Sequence, residues 1–192
     1  MNQHYWSEVI KRLGFNEQGA WLVYLAGAIL LPLAIFLKKR ISWKEWYVTF
    51  GVVGFLAWMA NIVLFFQLDL LDAGKPAIGS FPDLIMFSIA PSCIAVLYLN
   101  YYTDKKRWII GLIFTFCSLI IEYLLVKVGF LTQKGWRTWY SIPFYSFMYF
   151  IFLPWHLRLI RAEKQIDTEE ITRKPNHIIF FLNFLSKKKR AR

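Results

Sequence analysis

The fold of this chain is decided by residues 108–135, which read WIIGLIFTFCSLIIEYLLVKVGFLTQKG. Residues 108–126 of this stretch are apolar or small apart from one carboxylate, Glu122. At a rise of about 1.5 Å per residue, a helix of this length crosses a bilayer core of about 30 Å. The stretch is therefore predicted to form a transmembrane helix.

The small and polar residues of this helix are spaced so that they share one face. Gly111, Thr115, Ser118, Glu122 and Gly129 follow one another at intervals of four, three, four and seven residues, and such intervals place side chains on one side of a helix. We expect this face to meet protein and not lipid. A charge in the hydrocarbon costs at least about 2.5 kcal/mol, so Glu122 is predicted to be protonated, paired or facing a polar cavity.

The composition indicates a membrane protein. Of the 192 residues, 57% are hydrophobic and 19% are aromatic, and the apolar residues come in long blocks. The formal net charge is +11, but the Lys and Arg residues cluster at the ends of the apolar blocks. Anionic lipid headgroups are the nearest partner at these positions, and no nucleic acid is expected as a partner.

The apolar blocks predict an all-α polytopic bundle of five transmembrane helices. The predicted domains are an extracytoplasmic segment at 1–20, the transmembrane domain at 21–157 and a basic cytoplasmic tail at 158–192. The predicted helices are 21–37, 47–68, 83–102, 108–126 and 139–157. The connections at 69–81 and 133–137 are predicted to be loops.

Two local patterns refine these helices. Gly51, Gly54 and Asn61 fall on one face of the second predicted helix, where small residues let a neighbouring helix approach closely. Ser80 and Asp83 match the Ser-x-x-Asp capping pattern, which predicts that the third helix begins there.

The distribution of basic residues predicts the orientation. The side that holds the N-terminus and the second and fourth loops carries six Lys and Arg residues, and the other side carries seventeen. Because cytoplasmic segments are richer in Lys and Arg, the N-terminus is predicted outside and the C-terminus in the cytoplasm.

A candidate intramembrane polar site surrounds the buried carboxylate. Its residues are Glu122, Asn61, Ser92, Ser118 and Tyr145. Counted from the cytoplasmic ends of their helices, Glu122 and Asn61 lie at similar depths of about 21–22 Å. The polar faces either meet in a small pocket that opens outward or bond to one another as packing contacts. We interpret Asn61 and the serines as packing contacts and Glu122 as a functional group, although neighbouring side chains alone could satisfy it.

The sequence predicts no catalytic residue, metal site or cofactor. It contains no HExxH, GxSxG or P-loop motif and no pair of carboxylates within one predicted span. Cys93 and Cys117 have no metal-binding spacing and are expected to be buried, inert thiols. A non-enzymatic protein is favoured, and the question of an activity stays open.

The C-terminal tail ends in a short apolar patch followed by Lys187, Lys188, Lys189 and Arg190. Such a segment is typical of a surface anchor that binds anionic lipid headgroups at the cytoplasmic face. The alternative is a disordered basic tail.

Residues 81–108 and 120–145 resemble a family of small multi-span membrane proteins of Bacillus and Clostridium relatives, which is labelled after a Clostridium botulinum open reading frame. The resemblance also takes in the region of Trp43, Trp46, Tyr47 and Asn61. The shared features are an aspartate that opens the third helix, a proline midway through it, a glutamate late in the fourth, and a Gly-Trp and a Trp-Ser-like step. Here these residues are Asp83, Pro91, Glu122, Gly135, Trp136, Trp139 and Ser141. The chain departs from the pattern at Tyr140, which separates the last Trp and Ser, and in its long basic tail. The resemblance implies a multi-pass protein of the cell membrane of a spore-forming type of bacterium, and it implies no mechanism.

Two functions fit these observations. The first is a non-enzymatic interaction or accessory subunit of a membrane assembly, either as a homo-oligomer or with a partner membrane protein. The second is a small-solute or ion and proton pathway in which Glu122 is the titrating group. The first requires small-residue faces that meet another protein, and the second requires Glu122 to meet water.

Overall fold

The computed structural model describes residues 13–74 and 80–162, together with Trp6 and Val9. The helices are α1 (Ala20–Phe36), α2 (Trp43–Asn61, continued by a π-helical turn at Ile62–Gln67), α3 (Phe81–Leu84, a π-helical turn at Ile85–Ile89, then Ala90–Tyr101), α4 (Arg107–Lys127) and α5 (Ser141–Phe147, continued by a π-helical turn at Met148–Phe152). Residues 153–162 are also helical. Two short strands, β1 (Leu71–Ala73) and β2 (Leu131–Gln133), complete the described elements. The chain divides into two compact units after Pro154, and the bundle and site described below belong to the first unit.

Within the part of the chain that the structure describes, three stretches are long and apolar enough to cross a membrane by length and composition. They are Trp43–Gln67, Phe81–Tyr101 and Asp104–Lys127. They coincide with the second, third and fourth predicted helices. The shorter apolar helix α1 has 17 residues and lies within one residue of the first predicted helix at each end. The first and fifth spans, and the orientation, stay predictions.

Capping boxes set the beginnings of α2 and α3. The prediction that Ser80 and Asp83 open α3 is confirmed, because the Asp83 Oδ2 atom accepts the Ser80 backbone N–H at 2.8 Å. The predicted start of α2 at residue 47 is wrong. Ser42 and Glu45 form a second capping box, in which the Ser42 N–H donates to Glu45 Oε2 at 2.6 Å, and the helix therefore begins at Trp43.

π-Helical turns occur at the end of α2, within α3 and after the first seven residues of α5. The turns of α3 and α5 have a cause in the sequence. Ile85–Ile89 ends two residues before Pro91, and Met148–Phe152 ends two residues before Pro154. A proline lacks the backbone N–H of a regular helix, and its ring clashes with the carbonyl four residues earlier. Widening the preceding turn relieves that clash and lets both helices continue through the proline.

β1 and β2 form an antiparallel ribbon in which Leu71 pairs with Gln133 and Ala73 with Leu131. The prediction that 69–81 is a loop throughout is therefore wrong at β1, and β2 was also missed. The ribbon is extended by the Leu70 carbonyl oxygen, which accepts the backbone N–H groups of the next segment, Lys134, Gly135 and Trp136, at 3.0–3.1 Å. These contacts tie the end of α2 to the segment that precedes α5.

A bridge of charged groups lies beside the ribbon. The Lys134 Nζ atom is 2.7 Å from the Asp69 Oδ1 atom and 3.0 Å from the Asp72 Oδ2 atom. The hydrogen bonds to Asp69 and then to Asp72 raise the pKa of Lys134 above its ordinary value. Because Lys134 is solvent-exposed, we treat the bridge as a minor contribution to stability that fixes the geometry of the segment.

α3 is the central helix of the bundle: it packs against α1, α2 and α4, while α5 packs against α4. The close approach of α2 and α3 occurs at Gly54, where a Cβ atom would lie 2.8 Å from the Ser92 Oγ atom and 2.9 Å from the Ser88 Oγ atom. The prediction of a close contact is thus confirmed at Gly54. It is wrong at Gly51, which is exposed and has nothing within 4 Å of a Cβ position.

The polar face of α4 is buried, as its spacing predicted. Gly111, Thr115, Ser118 and Glu122 are all buried, whereas the remaining faces of α4 expose large apolar side chains. Cys117 is exposed on α4, so the expectation that both thiols are buried is wrong for this residue.

The turn between α1 and α2 is held by a buried asparagine. Asn100 is 2% exposed, and its Oδ1 atom accepts the backbone N–H groups of Lys39 and Arg40 at 2.8 and 2.9 Å. Its Nδ2 atom donates to the Leu37 carbonyl at 2.7 Å. One side chain near the end of α3 thereby satisfies three backbone groups that follow α1.

Candidate functional site

A cavity of about 570 Å³ lies inside the first unit. All five helices contribute to its wall, together with Leu71 of β1 and Leu131 of β2. Most of the lining side chains are Leu, Ile, Val, Ala, Met and Phe. The volume falls in the range of about 300–1,000 Å³ that is typical of sites for small molecules.

Glu122 supplies the carboxylate of this cavity. It is 7% exposed, and each of its carboxylate oxygens accepts one hydroxyl from α5. The Ser141 hydroxyl donates to Oε1 at 2.8 Å, and the Tyr145 hydroxyl donates to Oε2 at 2.9 Å. Ser141 and Tyr145 are four residues apart, so they lie on the same face of α5 and bind the Glu122 carboxylate from that side.

Trp136 supports this arrangement from the segment that precedes α5. Its indole N–H donates to the Ser141 Oγ atom at 3.0 Å, which leaves the Ser141 proton directed at Glu122. The position of Trp136 is fixed in turn by its backbone N–H, which donates to the Leu70 carbonyl at 3.1 Å. The ribbon therefore helps to orient the partners of the carboxylate.

A second polar chain runs beside the carboxylate. The hydroxyls of Ser118 and Tyr149 are 2.7 Å apart and hydrogen-bonded. The Tyr98 hydroxyl donates to the backbone carbonyl of Tyr149, which belongs to the π-helical turn of α5. These contacts join α3, α4 and α5 in the wall of the cavity.

Asn61 brings an acceptor that no side chain or backbone group satisfies. It is 6% exposed, it lines the cavity, and its Oδ1 atom has no hydrogen-bond partner. Leaving a buried polar atom without a partner costs about 1–3 kcal/mol. Among the described residues, Asn61 is thus a lining residue whose buried Oδ1 atom is unsatisfied and has almost no surface open to the cavity.

Four of the five predicted site residues line this one cavity: Asn61, Ser118, Glu122 and Tyr145. Ser92 does not belong to the lining. Its hydroxyl donates to the Phe50 carbonyl at 2.8 Å and so connects α3 to α2, away from the carboxylate. This contact fits the interpretation of the serines as packing contacts. Depth in the membrane alone does not show which face α3 turns toward α4, so it could not separate Ser92 from the residues that line the cavity.

The prediction missed three residues of the site, namely Trp136, Ser141 and Tyr149. Ser141 precedes Tyr145 by four residues and Tyr149 follows it by four, so helical spacing alone could have added both to a site that already contained Tyr145. Trp136 had no such signal, because the ribbon that positions it pairs segments that are distant in sequence.

The cavity wall as described contains no Lys, Arg or His side chain. Within residues 13–74 and 80–162, no group of three or more His, Cys, Asp and Glu residues could hold a metal ion. The predicted lipid-binding residues of the tail, Lys187, Lys188, Lys189 and Arg190, lie outside the described residues. The cavity can therefore hold a molecule that has an apolar body and a polar group that donates hydrogen bonds to Glu122.

The chain was compared with known proteins. No protein-family model, no curated protein and no solved structure matches it. The structure by itself defines the class of protein. The described residues form a mostly helical protein with three helices apolar enough to cross a membrane.

Proposed function

We propose that this chain is a five-span protein of a bacterial cell membrane, with its N-terminus outside and its C-terminus in the cytoplasm, that binds a small molecule in the cavity containing Glu122. The proposal departs from the accessory subunit that the sequence favoured, and it shares with the alternative, a small-solute or ion pathway, the small solute and the role of Glu122. The observation that carries the proposal is the cavity of about 570 Å³ that has Glu122 and the unsatisfied Asn61 in its wall.

The outer surface of α4 supports a membrane location. Ile109, Leu112 and Phe116 are each more than 60% exposed and lie on the side of α4 opposite its polar face. In water such a surface would favour aggregation, whereas in a bilayer lipid tails cover it.

The construction of the cavity supports a binding role. An intramembrane carboxylate is costly, and such residues usually face a bundle interior where they act on a substrate or ion. The π-helical turns of α2, α3 and α5 all contribute side chains to the wall, including Phe65, Phe87 and Tyr149. Turns of this kind are frequent at functional sites because they re-aim side chains inside an otherwise regular helix.

The proposal is tested by carbodiimide labelling of Glu122 in native membranes, read by mass spectrometry, with the exposed Asp104 as the reactive reference. Glu122 is buried and lines the cavity, so we expect a reagent to reach it through the cavity. Glu122 of the wild type should be labelled. Ala60 lines the cavity, so Ala60→Phe places a larger side chain there. If the reagent enters through the cavity, this substitution should reduce labelling of Glu122 at least about fivefold.

Ala28→Phe is the matched control, because Ala28 is exposed on α1 and the substitution adds the same volume outside the cavity. Glu122→Gln confirms the labelled position. If Glu122 stays unlabelled while Asp104 reacts, or if Ala28→Phe and Ala60→Phe reduce labelling equally, the proposal is wrong. Cross-linking for a partner protein would then be the next experiment, because the accessory-subunit interpretation would be favoured.

A further inference from the structure

We propose that the ligand of the cavity is a hydrophobic amine, whose ammonium group is held by Glu122 and whose apolar body occupies the rest of the space. This inference rests on the function proposed above and adds the chemical class of the ligand. Three features of the cavity carry it: its unused acceptors, its charge and its lining.

The polar end of the cavity offers acceptors. A carboxylate has about four lone-pair sites, and the hydroxyls of Ser141 and Tyr145 occupy two of those of Glu122. A ligand group that donates hydrogen bonds can therefore bind Glu122, and an ammonium group has three donors and no acceptor.

The charge of the wall selects the same group. Glu122 is the one ionisable carboxylate among the described lining residues, and no cationic side chain lines the cavity beside it. A ligand with a carboxylate or phosphate would meet a like charge with no compensating cation in a region of low dielectric. A phospholipid is disfavoured for this reason, and a free amine without a phosphate is favoured.

The lining accounts for the remainder of the ligand. Trp136, Tyr145 and Tyr149 belong to the wall together with Glu122, and aromatic faces attract ammonium groups. The other side chains are almost all aliphatic or phenylalanine, so they offer the apolar part no hydrogen bonds. Phe144 and Phe147 belong both to this lining and to the exposed apolar surface of α5, so we place the entry of a hydrophobic ligand from lipid at these two side chains.

The experiment compares three probes with the same tail and different heads: dodecylamine, dodecanol and dodecanoate. Each probe is titrated into the purified full chain in phosphatidylcholine nanodiscs. The apparent affinity is obtained from the rise in the thermal unfolding midpoint, because a ligand that binds the folded state raises this midpoint by mass action. Nanodiscs without protein correct for partitioning into lipid. The amine should bind about tenfold or more tightly than the alcohol, since hydrogen bonds to charged groups are the stronger ones, and the carboxylate should bind most weakly.

Two variants locate the binding. Glu122→Gln should reduce the affinity for dodecylamine about tenfold or more and leave that for dodecanol within about twofold. Ala60→Phe should weaken the binding of all three probes, and Ala28→Phe should change none of them. The comparison of probes on the wild type needs no variant, so the proposal is testable even if a substitution prevents folding.

The outcomes separate the two proposals. If dodecanol or dodecanoate binds as tightly as dodecylamine and Ala60→Phe weakens them, the cavity binds small molecules but the amine inference is wrong. If no probe binds, or Ala60→Phe changes nothing, the small-molecule function is wrong as well. If phosphatidylethanolamine nanodiscs raise the unfolding midpoint of wild type but not of Glu122→Gln, a lipid amine occupies the site, and the preference for a free amine is overturned.

Discussion

Replacing Gly54 with alanine should destabilise the bundle, whereas the same change at Gly51, one turn away on α2, should not. At Gly54 the new Cβ atom would lie 2.8 Å from the Ser92 Oγ atom and 2.9 Å from the Ser88 Oγ atom. The Ser92 hydroxyl cannot turn away freely, because it donates to the Phe50 carbonyl at 2.8 Å. At Gly51 nothing lies within 4 Å of the added atom.

The magnitude follows from opposing contributions. Overpacking costs about 1–3 kcal/mol, and loss of the Ser92 hydrogen bond costs about 0.5–1.5 kcal/mol. Alanine gains about 0.5–1 kcal/mol over glycine in helix propensity at either position. We therefore expect Gly54→Ala to lower the free energy of unfolding by about 0.5–4 kcal/mol, and Gly51→Ala to raise it by at most about 1 kcal/mol.

The assay is reversible unfolding in mixed micelles by titration with sodium dodecyl sulphate, followed by circular dichroism. Replacing Ser88 and Ser92 with alanine removes both oxygen atoms that the new methyl group meets, so Gly54→Ala should be better tolerated in that background than in wild type. Equal effects of alanine at Gly51 and Gly54, or an unchanged effect of Gly54→Ala in the double-serine background, would refute the reasoning.

Three further predictions concern other contacts. Asn100→Leu should lower the free energy of unfolding by about 2–3 kcal/mol, because three backbone groups lose their partner, and the same titration measures it. Tyr145→Phe should speed carbodiimide modification of Glu122, since it removes the hydroxyl donated to Oε2; an unchanged rate would show that this hydroxyl does not shield the carboxylate. The pKa of Lys134 is raised above 10.5 in the folded state, so the stability it contributes is fully present below that pH and is lost as the pH rises through the folded pKa. The difference in Tm between wild type and Lys134→Met should stay constant from about pH 7 to about pH 10 and shrink above it, and a difference that grows there would contradict this sign.

The helices and the buried face of α4 could be predicted because each is a local property of the sequence. Apolar runs locate spans to within a few residues, and the spacing of Gly111, Thr115, Ser118 and Glu122 identifies the face that packs against protein. The start of α2 was also readable in principle, because Ser42 and a glutamate three residues later form a capping box.

What the sequence did not reveal depends on contacts between distant segments. The strands have three residues each, too few for an alternating pattern, and their pairing is not local. The role of Asn100 as a partner for the turn after α1 is equally non-local. Within the site, Glu122 could be singled out because a lone carboxylate in an apolar run is unusual, but the contribution of Trp136 requires the ribbon and the exclusion of Ser92 requires the rotation of α3.

The ribbon also constrains the order in which the chain assembles. β2 follows α4 in the sequence, so β1 has no strand to pair with until α3 and α4 have both been made and have brought the chain back to the same end of the bundle. Until then the backbone groups of Leu71–Ala73 must be satisfied by water. Pairing of the strands then places Trp136 and, after it, the first turn of α5 beside a carboxylate that is already in position on α4. Closure of the ribbon thus couples the placement of α5 beside Glu122 to the return of the chain through α3 and α4.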